Sequence, residues 1–377
     1  MKKLLKLIAP LVLVICVIAG ITGGCAANET VTQTVTESVT ATATVTTTVT
    51  ESAALTPTTT TRTITDSLGR QVTIPAEVDR VVSLSIFPTE IISVLGAKDK
   101  IMGVDEWIKR GTMYGAFITK LHPDLQNLPS AGGGPLPVNV EELLAENPDV
   151  VLVSGVGTVW TDELEQKGIP VVAVKFEFLD TYMRDIRIVS QVVGKEKEAE
   201  SLIKYLEGQL ELVESRVGDI PEADKVRTGF ISLRDGSYGT MGEGTLQHGQ
   251  MTTAGGNNVF ADLIMPEGSH NLEVSVEQFI LDNPQVLLTH PMTKVADVMA
   301  DTRIADVEAV KNARVYALPE PGWDFGSLRS IFSIEWIASL YYPEKFQGID
   351  LDSEADAFFQ TIYKTDYTGP SLNVSAE

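Results

Sequence analysis

Two glutamates, Glu141 and Glu277, occupy matching points of a repeated segment. A carboxylate displayed in this way is equipped to pair with a guanidinium on another molecule. Residues 138–153 read Val-Asn-Val-Glu-Glu-Leu-Leu-Ala-Glu-Asn-Pro-Asp-Val-Val-Leu-Val, and residues 274–289 read Val-Ser-Val-Glu-Gln-Phe-Ile-Leu-Asp-Asn-Pro-Gln-Val-Leu-Leu-Thr. Each copy predicts a cap, a short helix led by the glutamate, an Asn-Pro stop and a buried strand. A carboxylate in a first helical turn is stabilised by the free N–H groups there. One copy alone would read as a helix-start carboxylate in a capping arrangement; the duplication points to two similar lobes with the glutamates as matched acidic points on them.

The other reactive side chains exclude more than they propose. His122, His248, His270 and His290 lie in separate segments without the close spacing of a metal site, so no metal centre is expected. There is no Gly-x-Ser-x-Gly elbow, Walker loop or His-Glu-x-x-His helix, and Gly242-Glu243-Gly244 lacks the third glycine of a dinucleotide loop. Neither catalysis nor a cofactor is expected. The two cysteines are Cys16, inside an apolar leader, and Cys25, so a mature domain would hold no disulfide framework or thiol nucleophile.

The elements that must position these residues are short apolar strands alternating with helices. Asp66 to Pro75 predicts a hairpin turning at Ser67-Leu68-Gly69, Arg80–Leu84 a buried strand, and Pro88–Leu95 a helix stopped by Gly96. Further strands are expected at Lys100–Val104, Gly168–Val174, Arg227–Leu233, Gln285–Thr289 and Val315–Leu318, with closing helices at Ile331–Tyr341 and Glu354–Tyr363 and a frayed final dozen residues. Helical periodicity runs over 181–217; if continuous, about 55 Å of helix would join two lobes as a strut, with two shorter helices divided at Gly194 as the alternative. The pattern is that of an α/β chain with two doubly wound lobes and a cleft between them. The lobes are expected at 63–180 and 218–377.

The start of the chain reads as an export signal over residues 1–25, with Lys2, Lys3 and Lys6 before an apolar run and Thr22-Gly23-Gly24 before Cys25. Cys25 is the expected lipidation site, although Thr22 stands where an aliphatic residue is usual; the alternative is an uncleaved anchor. Residues 26–62, rich in threonine, read as a disordered tether to the membrane. A formal net charge of −22 argues against nucleic acid and for a basic partner outside the membrane.

Several stretches in this order resemble the periplasmic binding proteins of ABC importers for iron–siderophore complexes, haem and cobalamin. They are Asp66-Ser67-Leu68-Gly69-Arg70, Arg80–Leu84 with Pro88-Thr89-Glu90, Leu95-Gly96-Ala97 with Ile101–Val104, both glutamate repeats, Ala254–Phe260, and Trp336-Ile337-Ala338 leading to Tyr342-Pro343-Glu344. The resemblance implies two lobes joined by one long helix. It also implies a monomeric, lipid-tethered receptor outside the membrane that hands a ferric siderophore or a corrinoid to permease subunits. Haem is an alternative ligand of the same fold, and zinc or manganese a further one; an exported enzyme or an adhesion protein is the remaining alternative. Glu141 and Glu277 match the positions that dock on permease arginines. The cleft is expected at the carboxyl ends of the strands, with Phe87, Trp107, Tyr238, Trp323 and Arg329 as ligand contacts. The same loops also carry Tyr114, Phe176 and Phe325, and Tyr238 or His248 would serve as an axial ligand if the cargo were haem.

Overall fold

The computed structural model describes residues 60–373 apart from 135, 155–158, 177–178 and 264–270. The expected signal, Cys25 and nearly all of the tether lie outside the described residues. Folded structure begins with β1 (Thr61–Thr65), which pairs antiparallel with β2 (Gln71–Pro75), Thr63 lying opposite Thr73. The tether therefore ends sooner than its expected boundary at residue 62. β1 turns Ile64 inward, opposite Val72.

The first lobe is a parallel sheet of β3 (Val81–Ser83), β4 (Ile101–Val104), β5 (Val150–Val153) and β6 (Val171–Ala173), in the order β4-β3-β5-β6. Its strands are apolar along their whole length because both faces are covered. Val81, Val150, Leu152 and Val172 enter a core cluster shared with α1 (Ile86–Val94). Val82, Val151, Val153 and Val171 point the other way and pack with Leu143 of α4 (Val140–Ala145) and Leu164 of α5 (Val159–Gln166). Between β4 and α4 lie α2 (Glu106–Arg110) and α3 (Ala116–Leu121).

The second sheet is mixed. Its order is β10-β8-β7-β11-β12, with β7 (Val226–Arg234), β8 (Ser237–Thr240), β10 (Leu272–Val274), β11 (Val286–Thr289) and β12 (Val315–Ala317); β9 (Gly256–Asn258) pairs with the start of β7. β7, β11 and β12 run parallel, as the strand–helix alternation requires, whereas β8 and β10 are antiparallel additions. One face packs on α9 (Val276–Asp282), α10 (Val295–Met299) and α11 (Glu308–Lys311) through Phe279, Val298 and Val310. The other joins the first lobe's main cluster through α8 (Leu246–Thr253), α12 (Arg329–Tyr341) and α13 (Leu351–Tyr363).

The strut expected over 181–217 is two helices, α6 (Tyr182–Val193) and α7 (Glu196–Val217). Gly194 takes φ +70° and closes α6, a left-handed conformation that glycine adopts at little cost. α7, with 22 residues and about 33 Å of length, packs on α6 and on α12 and is tied to the latter by Arg216–Glu335 at 2.5 Å. The end of the chain is also better ordered than expected as far as residue 373. Leu372 is buried and its N–H donates to Asp352 Oδ1 at 2.6 Å, while the Tyr367 N–H donates to Asp356 Oδ1 at 2.8 Å. Among the described residues no helix is long and apolar enough to cross a membrane.

Candidate ligand cleft

The carboxyl ends of the two sheets meet along an aromatic seam. From the first lobe, β3 runs through Ser85 into α1, bringing Phe87 to the seam; Ser85 makes no side-chain cap. β4 ends at Val104, and Asp105 caps α2 by accepting from the N–H groups of Trp107 and Ile108 at 2.7 and 3.1 Å. That cap sets Trp107 in the first turn of α2, and Gly111 at φ +62° then releases the chain toward Tyr114. A glycine run lies against this corner. A Cβ on Gly134 would meet Trp107 Cδ1 at 2.4 Å and one on Gly132 would meet the Pro137 carbonyl at 2.1 Å, so this loop covers the indole only because it lacks side chains.

From the second lobe, β11 delivers His290 immediately after Thr289, and the segment after β12 delivers Asp324 and Phe325. The Phe325 ring lies 5.3 Å from Phe87 and 5.5 Å from Tyr114, and Trp107 meets Tyr114 edge-on at 6.5 Å. The lobes are also linked by polar contacts. Tyr114 Oη is 2.9 Å from His290 Nε2, which is 3.3 Å from Asp324 Oδ2. Deeper in, the Tyr182 hydroxyl donates to the Gly326 carbonyl at 3.0 Å. Burial raises the Asp324 carboxyl above the ordinary range.

Beside the seam lies a cavity of about 350 Å³, walled by Phe117 and Lys120 of α3, by Glu320 and Arg329, and by Phe359 and Tyr367. Arg329 is buried with its guanidinium carbon 3.9 Å from the centre of the Phe117 ring and Nη1 3.4 Å from Glu320. It also exerts an electrostatic pull on Glu90, a buried carboxylate of α1 that accepts the Leu328 N–H at 3.3 Å and the Tyr363 hydroxyl.

The residues expected to touch ligand therefore divide. Phe87 and Trp107 stand in the seam. Tyr238 does not: it stacks on Phe279 at 5.2 Å and its hydroxyl donates to Asp301 at 2.8 Å, inside the second lobe's own core. β8 is an antiparallel return strand, so its alternation turns Tyr238 inward. Trp323 is 0% exposed, packed edge-on against Phe332 and near Tyr367. Arg329 serves an acidic pair between lobes. Tyr114, His290, Asp324 and Phe325 take the places at the seam. The cue for His290 was its position directly after a strand. His248 and Asn258 form a separate pair, 3.2 Å apart. Among the described residues no group of three His, Cys, Asp or Glu side chains is placed to hold a metal ion.

Asp105 is the strained member of the site. It is buried, its Oδ2 has no partner, and burial pushes its carboxyl up to about 7. A carboxyl raised in the folded state favours folding at low pH and loses that contribution as pH rises from about 4 toward 7. Asp105→Asn keeps an oxygen for the α2 cap and cannot ionise. It is expected to stabilise the protein at pH 8 by roughly 1–3 kcal/mol and to change little at pH 4. Melting temperatures of both proteins across that range check this; parallel curves would refute it.

Comparison with known proteins adds the following. The family model described as periplasmic binding protein matches residues 81–321. The molybdate-binding protein MolA of Haemophilus influenzae is 30% identical over 333 residues, covering 81% of this chain and 92% of its own. The structure of MolA bound to molybdate superposes with a TM-score of 0.70 at 28% identity, covering 82% of this chain and all of that one. The ABC transporter substrate-binding lipoprotein YvrC of Bacillus subtilis is 26% identical, covering 76% of this chain and 87% of its own. A cobalamin-binding protein of Halobacterium salinarum is 25% identical, covering 67% of this chain and 64% of its own.

Proposed function

The chain belongs to the periplasmic binding protein family, and from that premise we propose that its cargo is a small oxyanion of the molybdate class. As a family member it is an extracytoplasmic substrate-binding protein of an ABC transporter and not an enzyme. The observation that carries the ligand assignment is the 30% identity to a molybdate-binding protein across nearly that protein's whole length. The seam supports it: the lobes already touch through Tyr114–His290 and Phe87–Phe325, which leaves little room between them for a large ligand.

The chelate expected from the sequence is the second reading. The cobalamin-binding relative and the aromatic walls favour it, since Phe87, Trp107, Tyr114 and Phe325 would bury a flat ligand well. It requires the lobes to part first. Calorimetric titration of the purified protein with molybdate, tungstate, cyanocobalamin, haem and a ferric siderophore, with tryptophan fluorescence followed in parallel, separates the two. Saturable binding of molybdate and tungstate alone is expected; a response to a chelate with none to molybdate would sink the oxyanion assignment.

We assign delivery to Glu141 and Glu277 as the carboxylates that meet permease arginines. Attachment is assigned to Cys25 as the lipidated residue, in keeping with a relative described as a lipoprotein. Cys25→Ser is expected to move the protein from the membrane fraction to the soluble fraction, read by immunoblot after fractionation. Retention of the variant in the membrane would instead assign the leader as an uncleaved anchor.

A further inference from the structure

We propose that the Tyr114 hydroxyl is a hydrogen-bond donor reserved for the ligand, so that the cleft takes an acceptor oxygen at this point and not a donor. This rests on the oxyanion reading above and narrows it.

The reasoning starts at the far side of His290. Its Nδ1 accepts the backbone N–H of Met292 at 3.1 Å. A ring nitrogen that accepts carries no hydrogen, so the neutral imidazole keeps its proton on Nε2. That one N–H faces two oxygens, Tyr114 Oη at 2.9 Å and Asp324 Oδ2 at 3.3 Å. Asp324 is 1% exposed, and its other oxygen takes the Gly322 N–H at 3.3 Å, so the carboxylate serves as an acceptor.

Tyr114 must then accept from His290. A phenol has one hydrogen to give, and with the imidazole N–H directed at its oxygen, that hydrogen points elsewhere. No other described residue accepts it. The ring is held on three sides by Trp107, Phe325 and His290. Burial and the Asp324 charge both oppose ionisation, so the proton stays on the oxygen. The order Asp324 ← His290 → Tyr114 → ligand thus runs one way, from a fixed backbone N–H on one lobe to a donor supplied by the other.

An oxyanion without hydrogen gains a bond from this donor. One that presents its own O–H at the same point sets donor against donor and loses it. Molybdate, tungstate and sulfate are fully ionised near neutral pH, whereas phosphate keeps a proton there. Hydrogen phosphate still has three bare oxygens to turn toward Tyr114, so this one donor sets the polarity of the contact and does not by itself separate phosphate, sulfate and molybdate.

Calorimetry on the folded protein with sodium molybdate, tungstate and phosphate at pH 7.5 tests this, alongside 15N spectra of the His290 ring. Wild type is expected to bind molybdate saturably, and Tyr114→Phe to weaken it by about tenfold or more while the melting temperature falls by no more than the loss of one hydrogen bond entails. Unchanged molybdate affinity in Tyr114→Phe, or a protonated Nδ1 in the spectra, overturns the inference. A wild type that binds no oxyanion overturns the reading of function instead, and the ring spectra still report the proton order independently.

Discussion

Reversing the two carboxylates proposed for docking, Glu141→Lys with Glu277→Lys, is expected to abolish uptake while leaving ligand affinity within about twofold. Each glutamate is the second residue of a short helix and is exposed. The fold does not depend on either side chain. α4 is capped by Asn139, whose Oδ1 accepts the Glu141 and Glu142 N–H groups at 3.1 and 3.4 Å, and α9 by Ser275, whose hydroxyl accepts the Gln278 N–H at 3.1 Å. The inward anchors are Leu143 and Phe279, both 0% exposed. A lysine in a first helical turn costs about 0.3–1 kcal/mol, which this fold can absorb. On the docking role proposed above, the change at the permease is larger. Each lost charge-assisted pair costs about 1.5–3 kcal/mol, and repulsion then replaces attraction at two points. On α9 the surface also carries Ile280 and Leu281, 46% and 77% exposed, where α4 has the half-buried Leu144 and the small Ala145. Uptake of labelled ligand into cells or proteoliposomes, set beside calorimetry of the soluble variants, gives the result; transport that survives the double reversal rules out these residues as the docking points.

Arg329→Met should destabilise the protein by about 3–5 kcal/mol at pH 8, because it removes a buried cation that pairs with Glu320 and whose charge also acts on the buried Glu90. Glu90 is buried in α1, and burial raises its carboxyl while Arg329, the Tyr363 hydroxyl and the Leu328 N–H oppose the shift. Without the guanidinium the carboxyl rises further. Its proton is then held in the folded protein and released in the unfolded one, so stability falls as pH rises above about 4.5. The deficit should be small at pH 5 and fully developed at pH 8. Thermal melts at both values measure it. An equal loss at the two pH values would mean that the variant suffers from lost packing on Phe117, not from an orphaned acid.

The repeat was legible because local chemistry controls it. Cap, first-turn acid, Asn-Pro stop and apolar run are each decided by residues a few positions apart, and both copies form as read. The division at Gly194 was less so. Periodicity continues across it, and only the backbone shows that the glycine sits at φ +70° and not inside a helix. The cleft was the least legible part. Tyr114 and His290 are 176 positions apart, and no spacing rule joins them. Trp323 and Tyr238 were attractive as large amphipathic side chains in loops near strand ends, but aromatic rings fill cores as readily as they line pockets. What separated Tyr114 from Tyr238 was strand pairing, since the antiparallel register of β8 on β7 turns Tyr238 toward Phe279.

The way α7 lies across both lobes bears on how a transporter would distinguish a loaded receptor from an empty one. A helix of 22 residues packed on α6 at one side and α12 at the other acts as a gauge block, and a single buried cluster runs past it from the first sheet to the second. Glu141 and Glu277 sit on α4 of the first lobe and α9 of the second, so on the docking role proposed for them a stiff block between the lobes would keep their spacing nearly constant and let it convey little about occupancy. The message that cargo is aboard must then travel as time: how long the seam stays shut, and therefore how long the two carboxylates hold still together on the membrane partner.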